Sequence, residues 1–210
     1  MKFNFGYTLL ELVIAIALIG ILGIILTDTF VQNLRGQKKV AIINQVKQSG
    51  QGILDRLTNQ IQGAEKVVCT RINPATGHHI LVVAQKGVYH RFVYVPATVT
   101  ANGFIGYDNP PNTVTLSDDS TILTDPCKEE IDAPFNTGNS SIKLTDTNTV
   151  SGVSIKIGNS SSIFTKTTIA NGKDAIAVDF KVDVGVKAGS AAENLVSEGG
   201  VRFNTTIQLR

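Results

Sequence analysis

The chain has 210 residues, of which 42% are hydrophobic, and a formal net charge of +2. This length can bury one good-sized core, or a small domain beside a membrane anchor. The near-neutral charge gives no indication of a nucleic-acid surface. The two cysteines are far apart and lack a ligand-spaced histidine, which argues against zinc. No phosphate-binding loop, hydrolase elbow or metalloprotease motif occurs, so the sequence indicates no enzyme, cofactor or metal site.

The first predicted element is the apolar run FGYTLLELVIAIALIGILG at residues 5–23, which continues to Leu26. Between Leu9 and Leu26 the only charged residue is Glu11. As a helix this stretch would rise about 27 Å, close to the thickness of a bilayer core. No cleavage site of the secretory type follows it, and a second helical pattern begins directly. The run is therefore interpreted as a retained anchor.

A carboxylate inside such a run has two interpretations, which the residues alone leave open. Glu11 lies near the end of the span, where its side chain could snorkel to the headgroups. Alternatively, Glu11 pairs with a cation from another chain, because the run itself contains no positive residue. An α-amino group would supply that cation if the chain were cut just before Tyr7.

Residues 2–26 resemble the prepilin signal of type IV pilins and type II secretion pseudopilins. In that family a short basic leader ends in Gly and is followed by an aromatic residue, Thr, Leu and an apolar helix with one Glu. The resemblance implies cleavage after Gly6, N-methylation of Tyr7, and pairing of Glu11 with a neighbouring subunit's amine during assembly. Tyr7 stands where Phe is usual. Asp28 stands where many major pilins have Pro, which favours a minor pilin or pseudopilin.

Beyond Thr27 the apolar residues continue at helical spacing, which predicts an amphipathic helix that reaches residue 62. Its apolar stripe consists of Val40, Ile43, Val46, Ile53, Leu57 and Ile61. Glycines within the helix are expected to weaken it by about 1 kcal/mol each relative to alanine. They are Gly36, Gly50 and Gly52.

The remainder of the chain predicts strands. Segments 66–72, 79–86 and 88–95 are rich in β-branched and aromatic residues, and Lys86-Gly87 predicts a tight turn. Residues 96–140 are rich in turn formers. AIAVDFKVDV and GVRFNTTIQLR alternate with period two, which predicts antiparallel strands with a wet face that includes Asp179. The apolar face of this sheet must be buried against another element, and the apolar stripe of the long helix is the helical surface available for that packing.

These elements predict an α+β, pilin-like fold with three segments. Residues 1–6 form the leader, and residues 7–62 form a long helix whose membrane span is about 8–27. Residues 63–210 form an extracytoplasmic, β-rich head packed on the C-terminal half of the helix.

The resemblance also places the head on the oxidising side of the membrane, which predicts a disulfide between Cys69 and Cys127. Two independent thiols are the alternative. The adjacent His78 and His79 would point to opposite faces of a strand, so they are interpreted as a polar hairpin end and not as a metal site. Acids at positions 118, 119 and 125 lack the alternation of a calcium loop.

The predicted function is that of a structural subunit, a minor pilin or pseudopilin, in a type IV pilus-like or type II secretion filament. The expected partners are other pilin or pseudopilin subunits, the prepilin peptidase and, before assembly, cytoplasmic membrane lipid. The chain would cross that membrane once and later enter a cell-surface or periplasmic filament. The alternative is a membrane-anchored extracytoplasmic protein that never polymerises and binds DNA or a surface ligand.

Overall fold

The computed structural model describes residues 8–110, 114–115, 121–122, 127, 142–168, 174–188 and 200–209. One helix, α1 (Leu9–Gln62), precedes the strands of this described part of the chain. The contacts divide the chain into an N-terminal unit, Met1–Ala41, and a C-terminal unit, Ile42–Arg210. The architecture is the predicted α+β class.

All the described strands follow the helix in the chain. They are β1 (Lys66–Ile72), β2 (His79–Gln85), β3 (Val88–Val95), β4 (Phe104–Asp108), β5 (Val114–Thr115), β6 (Thr121–Ile122), β7 (Ile142–Lys143), β8 (Val153–Ile157), β9 (Phe164–Thr168), β10 (Asp174–Val184) and β11 (Val201–Gln208).

The first sheet has the order β1-β2-β3-β4-β7, and every pairing in it is antiparallel. The predicted turn between β2 and β3 is present. Lys86 has φ of 50° and Gly87 has φ of 77°. Positive φ at both central residues is the geometry that matches the right-handed twist of a two-residue hairpin.

The second sheet is built around the long strand β10. β11 pairs along one edge of β10, while β9 and β8 pair in succession along the other edge. The short strands β5 and β6 pair with each other. The alternation of the sequence predicts antiparallel pairing but not this division into separate sheets.

The main core of the C-terminal unit lies between α1 and the two larger sheets. From the helix it receives the predicted stripe residues Val46, Ile53, Leu57 and Ile61. From the sheets it receives alternate apolar residues, as period-two alternation requires. These include Leu81, Val83, Phe92, Ile105, Ile155, Ile176, Val178, Phe180 and Val182. Val40, which the stripe also included, is exposed and belongs to the N-terminal unit.

Gly50 has a different role from the one expected. It is buried in α1, and a Cβ atom built on it would overlap the ring of Phe203 from β11. Phe203 in turn stacks on Phe180, with ring centroids 5.4 Å apart. The absence of a side chain at Gly50 therefore lets the helix approach the second sheet closely. The glycine that was expected to weaken the helix is thus a packing contact between the helix and the sheet.

Asp179 is an exception to the predicted solvent-exposed face of β10, because it is only 5% exposed, whereas Lys181 and Asp183 on that face are partly exposed. The partner of β10 changes at this residue, since Val178 pairs with β9 and Phe180 pairs with β8. Asp179 therefore faces the loop that joins β8 to β9. Its Oδ2 accepts the backbone N–H groups of Asn159 and Ser160, each at 2.9 Å. A buried carboxylate is tolerated at this position because backbone N–H groups of the loop donate hydrogen bonds to it.

Arg202 of β11 completes the environment of Asp179. Its Nε donates to Oδ1 at 2.8 Å and its Nη2 donates to Oδ2 at 3.0 Å. The Arg202 guanidinium, helped by the Ser160 and Asn159 donors, holds the pKa of Asp179 well below its usual range despite the opposing effect of burial. The carboxylate therefore stays ionised and fixes the loop against the sheet.

Candidate functional site

The helix begins with a side-chain cap. The Oγ1 atom of Thr8 accepts the backbone N–H of Glu11 at 3.3 Å, and the Thr8 carbonyl oxygen lies 3.1 Å from the same nitrogen. Glu11 thus occupies the first turn, where a carboxylate interacts favourably with the positive end of the helix dipole. The spacing Thr-x-x-Glu is the signature of a capping box, and this signal in the sequence could have identified Thr8.

Gly6 and Tyr7, the predicted processing residues, lie outside the described residues. Their roles stay predictions. Glu11 is exposed, and none of the salt bridges among the described residues involves it. The position is therefore consistent with both interpretations of the carboxylate, since each needs an environment from outside the chain.

The helix from Leu9 to Leu26 exposes its apolar side chains on every face. Its large aliphatic residues are between about half and more than four-fifths exposed, for example Ile14 at 51% and Leu9 at 84%. α1 is the one helix among the described residues that is long and apolar enough to cross a membrane. An aliphatic surface of this extent is unfavourable in water, so it fits membrane anchoring.

Hydroxyl groups mark the end of the apolar run. Thr27 donates its hydroxyl to the carbonyl of Gly23 at 2.8 Å, and Thr29 donates to the carbonyl of Ile25 at 2.9 Å. These bonds satisfy the hydroxyls within the helix, so neither threonine needs water at this depth. The following residue Asp28 and the later basic residues are exposed.

Cys69 and Cys127 form a disulfide with a Cα–Cα distance of 6.3 Å. The bridge lies on the face of the first sheet that is opposite the main core, beside Ile80, Val82 and Val93. Cys69 reaches this face because β1 contains a bulge between Val67 and Cys69. Strict alternation would have placed Cys69 on the same face as Val67, which is in the main core.

The described histidines take part in structural hydrogen bonds. Nδ1 of His79 accepts the backbone N–H of Ile163 at 3.0 Å, which joins β2 to the loop before β9. Burial and, to a smaller extent, the nearby His78 lower the pKa of His79. Nδ1 of His90 lies 2.6 Å from the Tyr107 hydroxyl, and burial lowers the pKa of His90. Among the described residues no group of three potential ligands could hold a metal ion.

The acidic residues at positions 118, 119 and 125, which lack the pattern of a calcium loop, lie outside the described residues. The disulfide is thus the one predicted site whose partners the structure brings together. The N-terminal segment remains the candidate functional site, because it is the part of the described chain whose apolar surface has no partner within the chain.

Comparison with known proteins supports this N-terminal assignment. Residues 1–27 match the family model described as the prokaryotic N-terminal methylation motif. No curated protein and no solved structure matches the chain. The matched stretch contains Gly6, Tyr7, Thr8 and Glu11, the residues on which the resemblance depends. The motif and the α+β fold agree with the resemblance of residues 2–26 to the prepilin signal of type IV pilins and pseudopilins.

Proposed function

We propose that the chain is a structural subunit of a type IV pilus-like or type II secretion filament, of the minor pilin or pseudopilin kind. The methylation motif at residues 1–27, at the start of a fully exposed apolar helix, is the observation that carries the proposal. Such a helix is stable in lipid or in a bundle of like helices. Assembly would transfer it from the first environment to the second.

Glu11 would act in that transfer. After cleavage at Gly6, the new α-amino group of a neighbouring subunit would supply the positive charge that the apolar run lacks. An ionised residue is costly in an apolar environment unless it is paired, so the pair would favour docking in one register. The capped first turn would hold the carboxylate at a fixed height on the helix.

The proposed organisation keeps the predicted boundaries: leader 1–6, helix 7–62 with its span at about 8–27, and extracytoplasmic head 63–210. The disulfide supports an oxidising location for the head. The proposed partners are the prepilin peptidase, membrane lipid and other subunits. The role is structural and needs no cofactor.

Processing tests the proposal most directly. Mass spectrometry of the mature protein should find a chain that begins with N-methylated Tyr7. Gly6→Val should accumulate as an unprocessed membrane precursor, because the peptidase must approach the backbone at a residue without a side chain. Gly20→Val is the matched control, since Gly20 has open space around it and lies beyond the cleavage site. An intact Met1 in a cell with an active peptidase would instead favour the non-polymerising anchored binding protein.

A further inference from the structure

A cleft of about 330 Å³ lies within the C-terminal unit, between the last turns of α1 and the first sheet. Its floor and one wall are apolar and come from β3, β4, β7 and the residue after β7. These residues are Phe92, Tyr107, Ile142 and Leu144. The volume is at the lower end of the range for small-molecule sites, so it suits one ring-sized group.

The aromatic wall is held in place by ring contacts within the cleft and beside it. Phe92 is 1% exposed, and its ring centroid lies 5.2 Å from that of Tyr107. The Tyr107 ring stacks on His90 at 5.9 Å, and its hydroxyl lies 2.6 Å from the His90 Nδ1. The wall is therefore formed before any ligand arrives, which lowers the entropic cost of binding.

The opposite lip of the cleft is polar and comes entirely from the helix. It consists of Arg56, Asn59 and Gln60, and none of the described residues that line the cleft is acidic. Arg56 takes part in none of the salt bridges among the described residues. Its neighbour Asp55 accepts a hydrogen bond from Gln51 at 3.0 Å. An available guanidinium beside two amide groups is complementary to a carboxylate.

We propose that this cleft binds a small aromatic carboxylate, with its ring against Tyr107, Ile142 and Leu144 and its carboxylate on Arg56. The aromatic wall selects a flat apolar group, and the lip selects a negative charge. A packing defect of the core would not place at its edge a cation that forms no salt bridge with the described residues. The cleft volume of about 330 Å³ is within the range of small-molecule sites, which favours a small molecule over a segment of a partner protein.

The test uses the full-length chain in lipid nanodiscs, with phenylacetate as the probe and phenylacetamide as its uncharged analogue. Methyl NMR signals of Ile142 and Leu144 should shift in a saturable way with phenylacetate. Phenylacetamide should bind at least about tenfold more weakly, because it lacks the charge that Arg56 recognises. Arg56→Gln should weaken phenylacetate binding by a similar factor and abolish the preference for the acid.

Arg71→Gln is the matched control, because Arg71 is also exposed but lies on β1, outside the cleft. It should leave both affinities unchanged. Equal binding of the two probes, or unchanged binding by Arg56→Gln, would overturn the proposal. Shifts that depend on the concentration of the protein itself, with no response to phenylacetate, would assign the cleft to a second copy of the chain. Arg56 is exposed, so loss of folding is not the expected effect of its replacement.

Discussion

Two stretches of the same helix differ in what surrounds them. In the N-terminal unit, Leu22 is 57% exposed and its aliphatic neighbours are similarly open. In the C-terminal unit, Leu57 is fully buried among residues of the two sheets. Both stretches contain leucine and isoleucine, but the first is apolar on every face, whereas the second has one apolar stripe and an opposite face of polar and charged residues. The polar residues between the apolar ones therefore account for the difference.

The comparison shows that each stretch has a different source of stability. Residues of α1 from Ile42 onward are stabilised by the core that the chain itself provides. The preceding apolar stretch gains little within the chain, and lipid or other helices must supply its packing. Mutations in the two stretches should therefore affect different measurements, folding in one case and assembly in the other.

The largest expected effect concerns assembly. Glu11→Ala should insert into the membrane as well as wild type, yet enter filaments roughly 100-fold less, because a neighbouring amine would lie unpaired in an apolar bundle. Membrane fractionation and immunoblots of sheared filaments measure the two steps. Asp28→Ala, an exposed acid of the same helix, should assemble normally. Normal incorporation of Glu11→Ala would return Glu11 to the snorkelling interpretation.

The disulfide should contribute the largest share of stability among the features described. Replacing both Cys69 and Cys127 with alanine should lower the free energy of unfolding of the C-terminal unit by about 4 kcal/mol in the chain-entropy model. The cause is conformational entropy. Without the bridge, the unfolded chain is no longer held in a closed loop between two cysteines that are 58 residues apart, so unfolding gains more entropy. Denaturant unfolding with and without reductant measures it. Two free thiols in the denatured, unreduced protein would contradict the bridge.

A pair of leucine substitutions compares the two stretches of the helix directly. Leu57→Ala should destabilise the C-terminal unit by about 3 kcal/mol, because it leaves a cavity in the main core. Leu22→Ala removes the same atoms from an exposed position and should leave that unfolding transition unchanged. Denaturant midpoints at constant slope provide the measurement. Equal effects of the two variants would show that the separation into two units is wrong.

Two glycines of the C-terminal unit provide a finer test. Gly50→Ala should destabilise by about 2 kcal/mol, since the new methyl group would overlap the Phe203 ring. Gly52→Ala meets open space and should stabilise the helix by about 1 kcal/mol through its higher helix propensity. Thermal unfolding of both variants measures the difference. A stabilising Gly50→Ala would mean that the helix does not approach β11 this closely.

The smallest effect is a pH dependence. The pKa of His79 is lowered in the fold, because burial disfavours the charged ring whose Nδ1 accepts the Ile163 N–H. The unfolded chain therefore binds a proton below about pH 6.5 that the folded chain refuses, and stability falls as pH decreases through that range. We therefore expect the free energy of unfolding to decrease between pH 7.5 and pH 5.5.

His79→Gln should reduce this pH dependence when urea unfolding is compared at the two values. His90, whose pKa is also lowered by burial, should account for a remaining slope that His90→Gln removes. Asp179 contributes in the same sense but at lower pH. Its pKa is depressed in the fold, so its contribution to stability is complete above its unfolded pKa and is lost as pH falls below that value. An unchanged slope in His79→Gln would show that the ring is not held neutral.

Much of the fold could be predicted because its signals are local. The apolar run, the helix end near residue 62, the boundaries of β1 and β3, and the Lys86-Gly87 turn follow from periodicity and backbone preference. The N-terminal motif is equally local, because cleavage, capping and charge pairing involve a few consecutive residues. The Thr8 cap was missed although its Thr-x-x-Glu signal is present in the sequence.

The cleft could not be predicted, because its parts are far apart in the chain. Arg56 comes from the helix, Phe92 and Tyr107 from two strands, and Ile142 from a short strand beyond a long connection. Each residue alone is unremarkable in sequence, and only the packing of α1 on the first sheet brings the cation beside the aromatic rings.

The sequence by itself determined which residues are apolar at helical or strand spacing, and thereby which segments have an apolar face that must be buried against another element. The tertiary structure decided three exceptions to that alternation. A bulge in β1 moved Cys69 to the face of Cys127, a change of strand partner buried Asp179 against loop donors, and close approach of β11 made Gly50 a contact. Each exception depends on where a second element lies, and one-dimensional periodicity carries no information about that position.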